Sequence, residues 1–419
     1  MKPGDPNIIS EWLARSQKVP LTVIAEFTDT YEHPPCRYQD SATATLANGN
    51  NFKVCLRHKA ILSLDKLLPH RSRIRSLNVL LHSSDPEWDD DHHEGEPTLL
   101  YHLFFKETLP NLHHLDFRAA HIEQDRYMIP IPNALFAEKL PRLRELKYLG
   151  VTGGLTGTAK GLTSCEIGYW SKSAGPTFID EEELWVLFNN NKTLKSLTIN
   201  ECELVSDSWT STSIPMTDLE FLKIDSPIGD SLQKILHLIY IPQFKDLDTV
   251  HLSFRFSRIE TIVTNDSGHT FEFSQFTDHN SNFDPLRHLG MDITTLRLDR
   301  GMTAEQLDRD PALFQLFKPF DTVQVLEFYG TITDRVQNAL SVAGVLPGLK
   351  GIRVAVSQYD YKRTLRLLAT ISELRMEEGN PLTMVERLVL EGEDGLNQML
   401  HAKWEKRYEA EGIQNFLSK

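Results

Sequence analysis

The sequence has few cysteines. Cys36, Cys55, Cys165 and Cys202 stand far apart among 419 residues, and no two of them form a Cys-x-x-Cys pair. This number is too small for a disulfide framework, and the spacing is wrong for a zinc site. We therefore expect reduced thiols that pack as small apolar side chains.

Long apolar runs and an excess of basic charge are also missing. No run reaches the ~18 residues that a membrane span needs, and the N-terminal residues contain no apolar stretch long enough for a signal peptide. The net charge is −14, whereas nucleic acids and anionic membranes bind basic surfaces. These absences predict a cytoplasmic or nuclear protein that binds neither nucleic acid nor a membrane.

Catalytic signatures are missing as well, since the sequence has no G-x-S-x-G and no H-E-x-x-H. Two segments could supply ligands. The acidic segment 85–97 lacks the D-x-D-x-D-G pattern of a calcium loop, and the glycine-rich segment 150–164 lacks the G-K-[ST] that ends a phosphate-binding loop. We expect both to be surface loops, and we predict no catalytic residue, no cofactor and no metal ion.

What recurs in the sequence is a short apolar frame, L-x-x-L-x-φ, where φ is apolar. In the segment 103–117 (LFFKETLPNLHHLDF), Leu112, Leu115 and Phe117 form this frame after a helix-like run and a Leu-Pro stop. Ten copies can be counted, and their central residues are Leu77, Leu115, Leu146, Leu197, Leu222, Val250, Leu296, Leu326, Ile352 and Leu388. The shorter spacings are close to those of a leucine-rich repeat, and the longer ones indicate inserted loops.

Each copy combines a strand with a helix. Residues two apart share one face of a strand, and helical periodicity precedes most copies, as with Leu184, Leu187 and Phe188. Stacked neighbours can bury the apolar faces that one unit alone leaves exposed. We therefore predict an α/β, leucine-rich-repeat-like solenoid, with a curved parallel sheet, helices on the convex side, irregular repeats and inserted loops. The segment 259–276 alternates as a β-hairpin and is predicted to be one insertion.

The predicted domains follow from this pattern. An N-terminal flank or cap covers 1–56, the irregular solenoid covers 57–395, and a C-terminal capping helix covers 396–419. Within the flank, we expect a short helix that ends near Ser16 and then a strand led by Pro20.

Three stretches resemble the basidiomycete family of F-box proteins with leucine-rich repeats. They are WLARS-x-x-VPLTV (12–23), the helix-break-strand segment 60–81, and LP-x-L-x-x-L-x-F (109–117). The resemblance covers nearly the whole chain and implies the substrate-binding part of an F-box ubiquitin-ligase receptor. In that family a short helical F-box domain precedes the W-L-x-R-S element, whereas only ten residues precede Glu11 here. We therefore expect the F-box itself to be absent, and a cullin–RING ligase adaptor to bind only if an F-box lies upstream.

The predicted binding surface is the concave face of the sheet. Residues on either side of the central frame residue point away from the core. These flanking residues carry charges of both signs, which suits a protein substrate or client. The predicted partner-binding residues are Phe221, Lys223, Thr249, His251, Thr198 and Arg297.

We therefore predict a non-enzymatic protein–protein interaction module. One alternative is an independent leucine-rich-repeat scaffold or regulator unconnected with ubiquitin. The second alternative is an enzyme that uses the inserted loops.

Overall fold

A computed structural model describes residues 6–28, 42–45, 51–54, 66–83, 109–121, 129–130, 140–152, 160–168, 177–205, 212–225, 229–255, 258–276, 291–298, 317, 320–329, 338, 340, 344–357, 361–377 and 379–390. These residues include the α-helices α1 (Pro6–Ser16), α2 (Glu181–Asn190), α3 (Gly229–Leu238) and α4 (Tyr361–Glu377). They also include 3-10 helices at Leu68–Arg73 and Pro242–Asp246. No helix in this part of the chain is long and apolar enough to cross a membrane.

The strands are numbered in chain order. They are β1 (Leu21–Thr28), β2 (Ala42–Thr45), β3 (Asn51–Val54), β4 (Ile74–Ser83), β5 (His114–His121), β6 (Ile129–Pro130), β7 (Glu145–Leu149), β8 (Val151–Thr152), β9 (Ser164–Gly168), β10 (Thr177–Asp180), β11 (Ser196–Asn200), β12 (Cys202–Val205), β13 (Ile214–Pro215), β14 (Phe221–Asp225), β15 (Ile239–Tyr240), β16 (Thr249–Arg255), β17 (Arg258–Thr264), β18 (Thr270–Phe276), β19 (Thr295–Leu298), β20 (Val325–Tyr329), β21 (Gly351–Ser357) and β22 (Met384–Leu390).

The chain divides into two compact units. Unit 1 comprises Met1–Leu219, Lys223–Ser226 and His237–Tyr240, and unit 2 comprises Glu220–Leu222, Pro227–Leu236 and Ile241–Lys419. Strand β14 and helix α3 therefore have residues in both units.

In unit 1, six strands form a parallel array in the order β1-β4-β5-β7-β9-β11. The strands β6 and β8, β10 and β12, and β13 and β15 form separate parallel pairs, and β2 pairs with β3 in antiparallel fashion. Helix α1 ends at Ser16 and is followed by β1, as predicted for the N-terminal flank.

In unit 2, the order is β18-β17-β16-β19-β20-β21-β22. The strands β16 and β19–β22 are parallel, whereas β17 is antiparallel to both of its neighbours. The fold is thus α/β, with a large, mostly parallel sheet and few helices among the described residues.

The apolar frame residues form a large part of the core. In nine of the ten frames all three of these side chains are at most 5% exposed, and Val385 of the tenth is 3% exposed. The central residues lie opposite one another on neighbouring strands: Leu115 pairs with both Leu77 and Leu146, and Leu326 pairs with Leu296 and Ile352. Alternation puts every second side chain of a strand on the same face. The frame residues therefore form one continuous buried face in each unit.

Helix α2 shows how the sequence starts and ends a helix before such a strand. Asp180 is the N-cap, and its carboxylate accepts a hydrogen bond of 2.7 Å from the Glu182 amide. At the other end the buried Asn191 side chain donates to the Leu187 carbonyl and accepts from the Leu162 amide, both at 2.8 Å. The end of α2 is thereby tied to the chain that enters β9.

The predicted hairpin is confirmed, but its position changes the predicted strand order. The turn that joins β17 to β18 begins at Asn265. The side-chain oxygen of Asn265 accepts a 3.0 Å hydrogen bond from the His269 amide. Because β17 pairs with β16, the two neighbours of β16 are β17 and β19. A stacked solenoid of the predicted kind puts all ten frames on adjacent parallel strands. This expectation is wrong between the Leu222 and Val250 copies, and also between the Leu146 and Leu197 copies, which β9 separates.

Two further corrections concern the frames themselves. Leu162, which precedes β9, and Cys165 and Ile167 on β9 are buried and form a further copy of the frame, which the leucine pattern did not reveal because cysteine occupies its centre. At the last strand, Ile352 pairs with Val385, so Val385 and not Leu388 occupies the central position. The predicted acidic loop 85–97 and the capping helix 396–419 lie outside the described residues.

Candidate functional site

The face opposite the buried frame residues carries the flanking residues, and we call it the polar face. Because side chains alternate along a strand, burial of the frame residues places the flanking residues on the other side. All six predicted partner-binding residues are partly exposed; they are Thr198, Phe221, Lys223, Thr249, His251 and Arg297. The polar face of each unit is therefore accessible at these positions.

The structure brings some of the predicted site residues together and separates others. Thr198 and Lys223 belong to unit 1, and the other four belong to unit 2. His251 lies directly opposite Arg297 on the neighbouring strand. Phe221 lies on β14, which is not a neighbour of β16, so Phe221 and His251 are not on adjacent strands.

In unit 1, the polar face carries an ion pair between neighbouring strands. Lys147 on β7 lies 2.9 Å from a carboxylate oxygen of Glu166 on β9. The other Glu166 oxygen accepts a hydrogen bond of 3.0 Å from the Asn200 side chain on β11. One carboxylate thus connects three neighbouring strands, and its side chain remains 26% exposed.

A second ion pair of unit 1 lies within β5. Arg118 donates from Nε and Nη2 to the two carboxylate oxygens of Asp116, at 2.7 and 2.6 Å. This bidentate geometry is the strong form of an arginine–carboxylate contact. The hydrogen bond to Asp116 raises the pKa of Arg118, so the guanidinium stays charged. The pair therefore presents a fixed charge distribution beside Lys147, which is the residue opposite Asp116.

In unit 2, a fully buried carboxylate lies between two arginines. Glu327 on β20 is 0% exposed, and its two oxygens contact Arg297 Nε at 2.5 Å and Arg353 Nη1 at 2.7 Å. The three residues are opposite one another on β19, β20 and β21. A buried carboxylate is costly unless charged partners compensate it, and here both partners are present. The arginine side chains are 29% and 24% exposed, so they reach the polar face.

The cysteines in the described residues do not add a reactive group. Cys165 and Cys202 are free and buried. Burial, followed by the nearby charge of Glu166, raises the pKa of Cys165 to about 12, and burial also raises the pKa of Cys202. Both thiols are therefore protonated near neutral pH, and a thiol is a poor nucleophile or metal ligand.

Clusters of metal-binding residue types are absent from the part of the chain that the structure describes, since no three His, Cys, Asp or Glu side chains there could hold an ion. The acidic segment 85–97 is not part of it. The glycine-rich segment is described only at 150–152 and 160–164, where Lys160 is exposed.

Sequence reasoning missed the ion pair of Lys147 with Glu166. Glu166 flanks Cys165, and the cysteine hid this copy of the frame. Glu327 is a flanking residue in the predicted pattern, but its contacts with two arginines depend on which strands are neighbours. A flanking acidic residue between flanking arginines in successive copies is the signal that could have indicated it.

Comparisons with protein-family models, with curated proteins and with solved structures gave no match for this chain. The resemblance to F-box proteins stays a prediction.

Proposed function

We propose that the chain is a leucine-rich-repeat-like solenoid that serves as a non-enzymatic protein–protein interaction module. In this proposal the sheet is curved, its polar face is concave and the helices lie on the convex side. The support is the buried frame residues, which recur on successive parallel strands and align from strand to strand. Stacking of short helix–strand units produces such alignment.

The observation that carries the proposal is the polar face with its paired charges. Acidic and basic side chains alternate from strand to strand, as in Lys147 with Glu166 and in Arg297, Glu327 and Arg353. Neighbouring strands are about 4.8 Å apart, so residues of successive strands can contact one partner. Charges of both signs held in fixed positions favour a partner with the complementary pattern and exclude others. A folded protein or peptide supplies such a pattern, whereas the evenly spaced phosphates of a nucleic acid do not.

Phe221 and His251 are the residues of unit 2 that we expect to contribute most. Aromatic residues dominate the binding energy of many interfaces, and Phe221 is a partly exposed aromatic residue on the polar face. His251 lies beside Arg297. Thr249 and Arg297 are the other proposed contacts of unit 2, and Thr198 and Lys223 are proposed contacts on the polar face of unit 1.

The first test is a pull-down with mass spectrometry, followed by affinity measurement with the partner found. The double variant Phe221→Ala/His251→Ala should weaken binding at least tenfold, about 1.4 kcal/mol, with an unchanged melting temperature. As the matched control, Glu373→Ala/Met376→Ala removes one polar and one apolar side chain that are exposed on α4. Unchanged affinity in the first variant, or an equal loss in both, would contradict the proposal.

The same pull-down addresses the ubiquitin connection. The resemblance supports a role as the substrate-binding part of an F-box receptor, so the partner would be a substrate or client. Enrichment of cullin–RING subunits with the full product of the gene would support that role. Enrichment of unrelated clients alone would favour an independent scaffold or regulator.

A further inference from the structure

Arg297 is held in place by a residue that solvent does not reach. The contact of 2.5 Å between Arg297 Nε and Glu327 fixes one edge of the guanidinium group. Arginine has five N–H donors in a planar fork, and two of its nitrogens are the terminal Nη groups. Contact through Nε therefore orients the group while its terminal end can bind a second carboxylate. The side chain is 29% exposed, so a ligand on the polar face can reach it.

The charge around Glu327 favours an anion at Arg297. Arg353 also binds Glu327, so two cations share one buried anion and the three residues carry a net positive charge. The strand register continues from Arg353 to Glu386 on one side and from Arg297 to His251 on the other. The excess of positive charge therefore lies toward Arg297. It stands out in a chain whose net charge is −14.

The residues beside this charged row are short. Thr295, Val325 and Gly351 lie opposite one another on the same three strands, two residues before Arg297, Glu327 and Arg353. Residues two apart are on the same face. An extended segment could thus lie across the strands over these small residues and place an acidic side chain against Arg297.

We propose that Arg297 binds a carboxylate of the partner, and that the partner therefore presents an acidic peptide segment to unit 2. This inference rests on the proposed function and specifies the chemistry of the partner. Arg297 makes the direct contact. Glu327 and Arg353 are positioning residues, since Glu327 orients Arg297 and Arg353 neutralises the charge of Glu327. An arginine–carboxylate contact with two parallel hydrogen bonds gives both energy and directional specificity.

The test uses the intact chain and two fluorescein-labelled peptides of equal length. One alternates glutamate with serine, and its twin alternates glutamine with serine. Fluorescence anisotropy at about 0.15 M salt, where exposed charges are screened over about 8 Å, should show that the acidic peptide binds at least about tenfold more tightly than its twin. The variant Arg297→Gln should bind the acidic peptide at least about tenfold more weakly than the unchanged chain does.

Two further variants separate the direct contact from net charge and from folding. Lys350→Gln removes one exposed positive charge outside the row and should change the affinity less than about twofold, because exposed charges are screened. Glu327→Gln keeps a side-chain oxygen that can accept the hydrogen bond from Arg297 Nε, so Arg297 stays oriented, while the competing negative charge is removed. The acidic peptide should therefore bind as tightly as before or more tightly. This variant keeps both arginines, so a folding defect in Arg297→Gln does not prevent the test.

Equal binding of the two peptides would overturn the inference, as would equal losses in Arg297→Gln and Lys350→Gln. Weaker binding in Glu327→Gln, with an unchanged melting temperature, would do the same. If the Phe221→Ala/His251→Ala variant still binds the natural partner more weakly in that case, the proposed function stands and only the carboxylate contact fails.

Discussion

Gly168→Ala should lower the free energy of unfolding by about 3–5 kcal/mol, a loss that few single substitutions reach. Gly168 is the last residue of β9 and has a φ of +120°, a backbone angle that residues with a Cβ rarely adopt. A Cβ at this position would lie 2.0 Å from the backbone oxygen of Asn200, the residue opposite it on β11. Either the two strands move apart or the register breaks, and both expose frame residues. Urea denaturation followed by circular dichroism measures the loss.

Gly268→Ala is the matched control for that variant. Gly268 also has a positive φ, of +86°, but nothing lies within 4 Å of the position of an added Cβ. Only backbone strain remains, and we expect a loss of about 1–2 kcal/mol. Equal losses for the two glycines would show that close approach of β9 and β11 is not what requires Gly168.

Leu197→Ala should cost about 2–5 kcal/mol of stability, because it removes a fully buried side chain and leaves a cavity. Leu197 is the central residue of its frame, is 0% exposed and lies opposite Cys165. Lys195 is two residues earlier and exposed, so Lys195→Ala should cost less than about 1 kcal/mol. Thermal unfolding of the two variants compares the frame position with its neighbour. Similar shifts in melting temperature would mean that the buried and exposed positions are assigned wrongly.

The buried face could be predicted from the sequence because its signal is local. Apolar residues two apart, after a helical run, identified Leu197 and Ile199 on β11 and the buried residues of α2. Cys165 escaped because a small thiol replaces leucine at the same buried position. The error at Val385 has a similar origin, since the repeating apolar residues near the C-terminal strand fit two registers. A pattern of apolar residues on one face of a strand fits either register, and only pairing with the neighbouring strand selects one of them.

The candidate site could be predicted only in outline. Strand alternation alone placed His251 and Arg297 on the polar face. The contact of Glu327 with Arg297 and Arg353 joins residues 30 and 26 positions apart, and it depends on the order of β19, β20 and β21. The hairpin β17–β18 also lies between the strands of the Leu222 and Val250 frames, although these two frames are successive copies in the sequence. Such neighbour relations arise from the whole sheet and leave no local mark in the sequence.

The central claim is that a protein partner contacts the polar face, and site-specific photocrosslinking tests it most directly. The photoreactive amino acid benzoylphenylalanine would replace either Thr295 on the polar face or Glu373, an exposed residue of α4. Mass spectrometry after irradiation identifies the protein that is joined to each position. The account predicts that the partner is crosslinked from Thr295 and not from Glu373. Crosslinks to the same partner from Glu373 alone would contradict it.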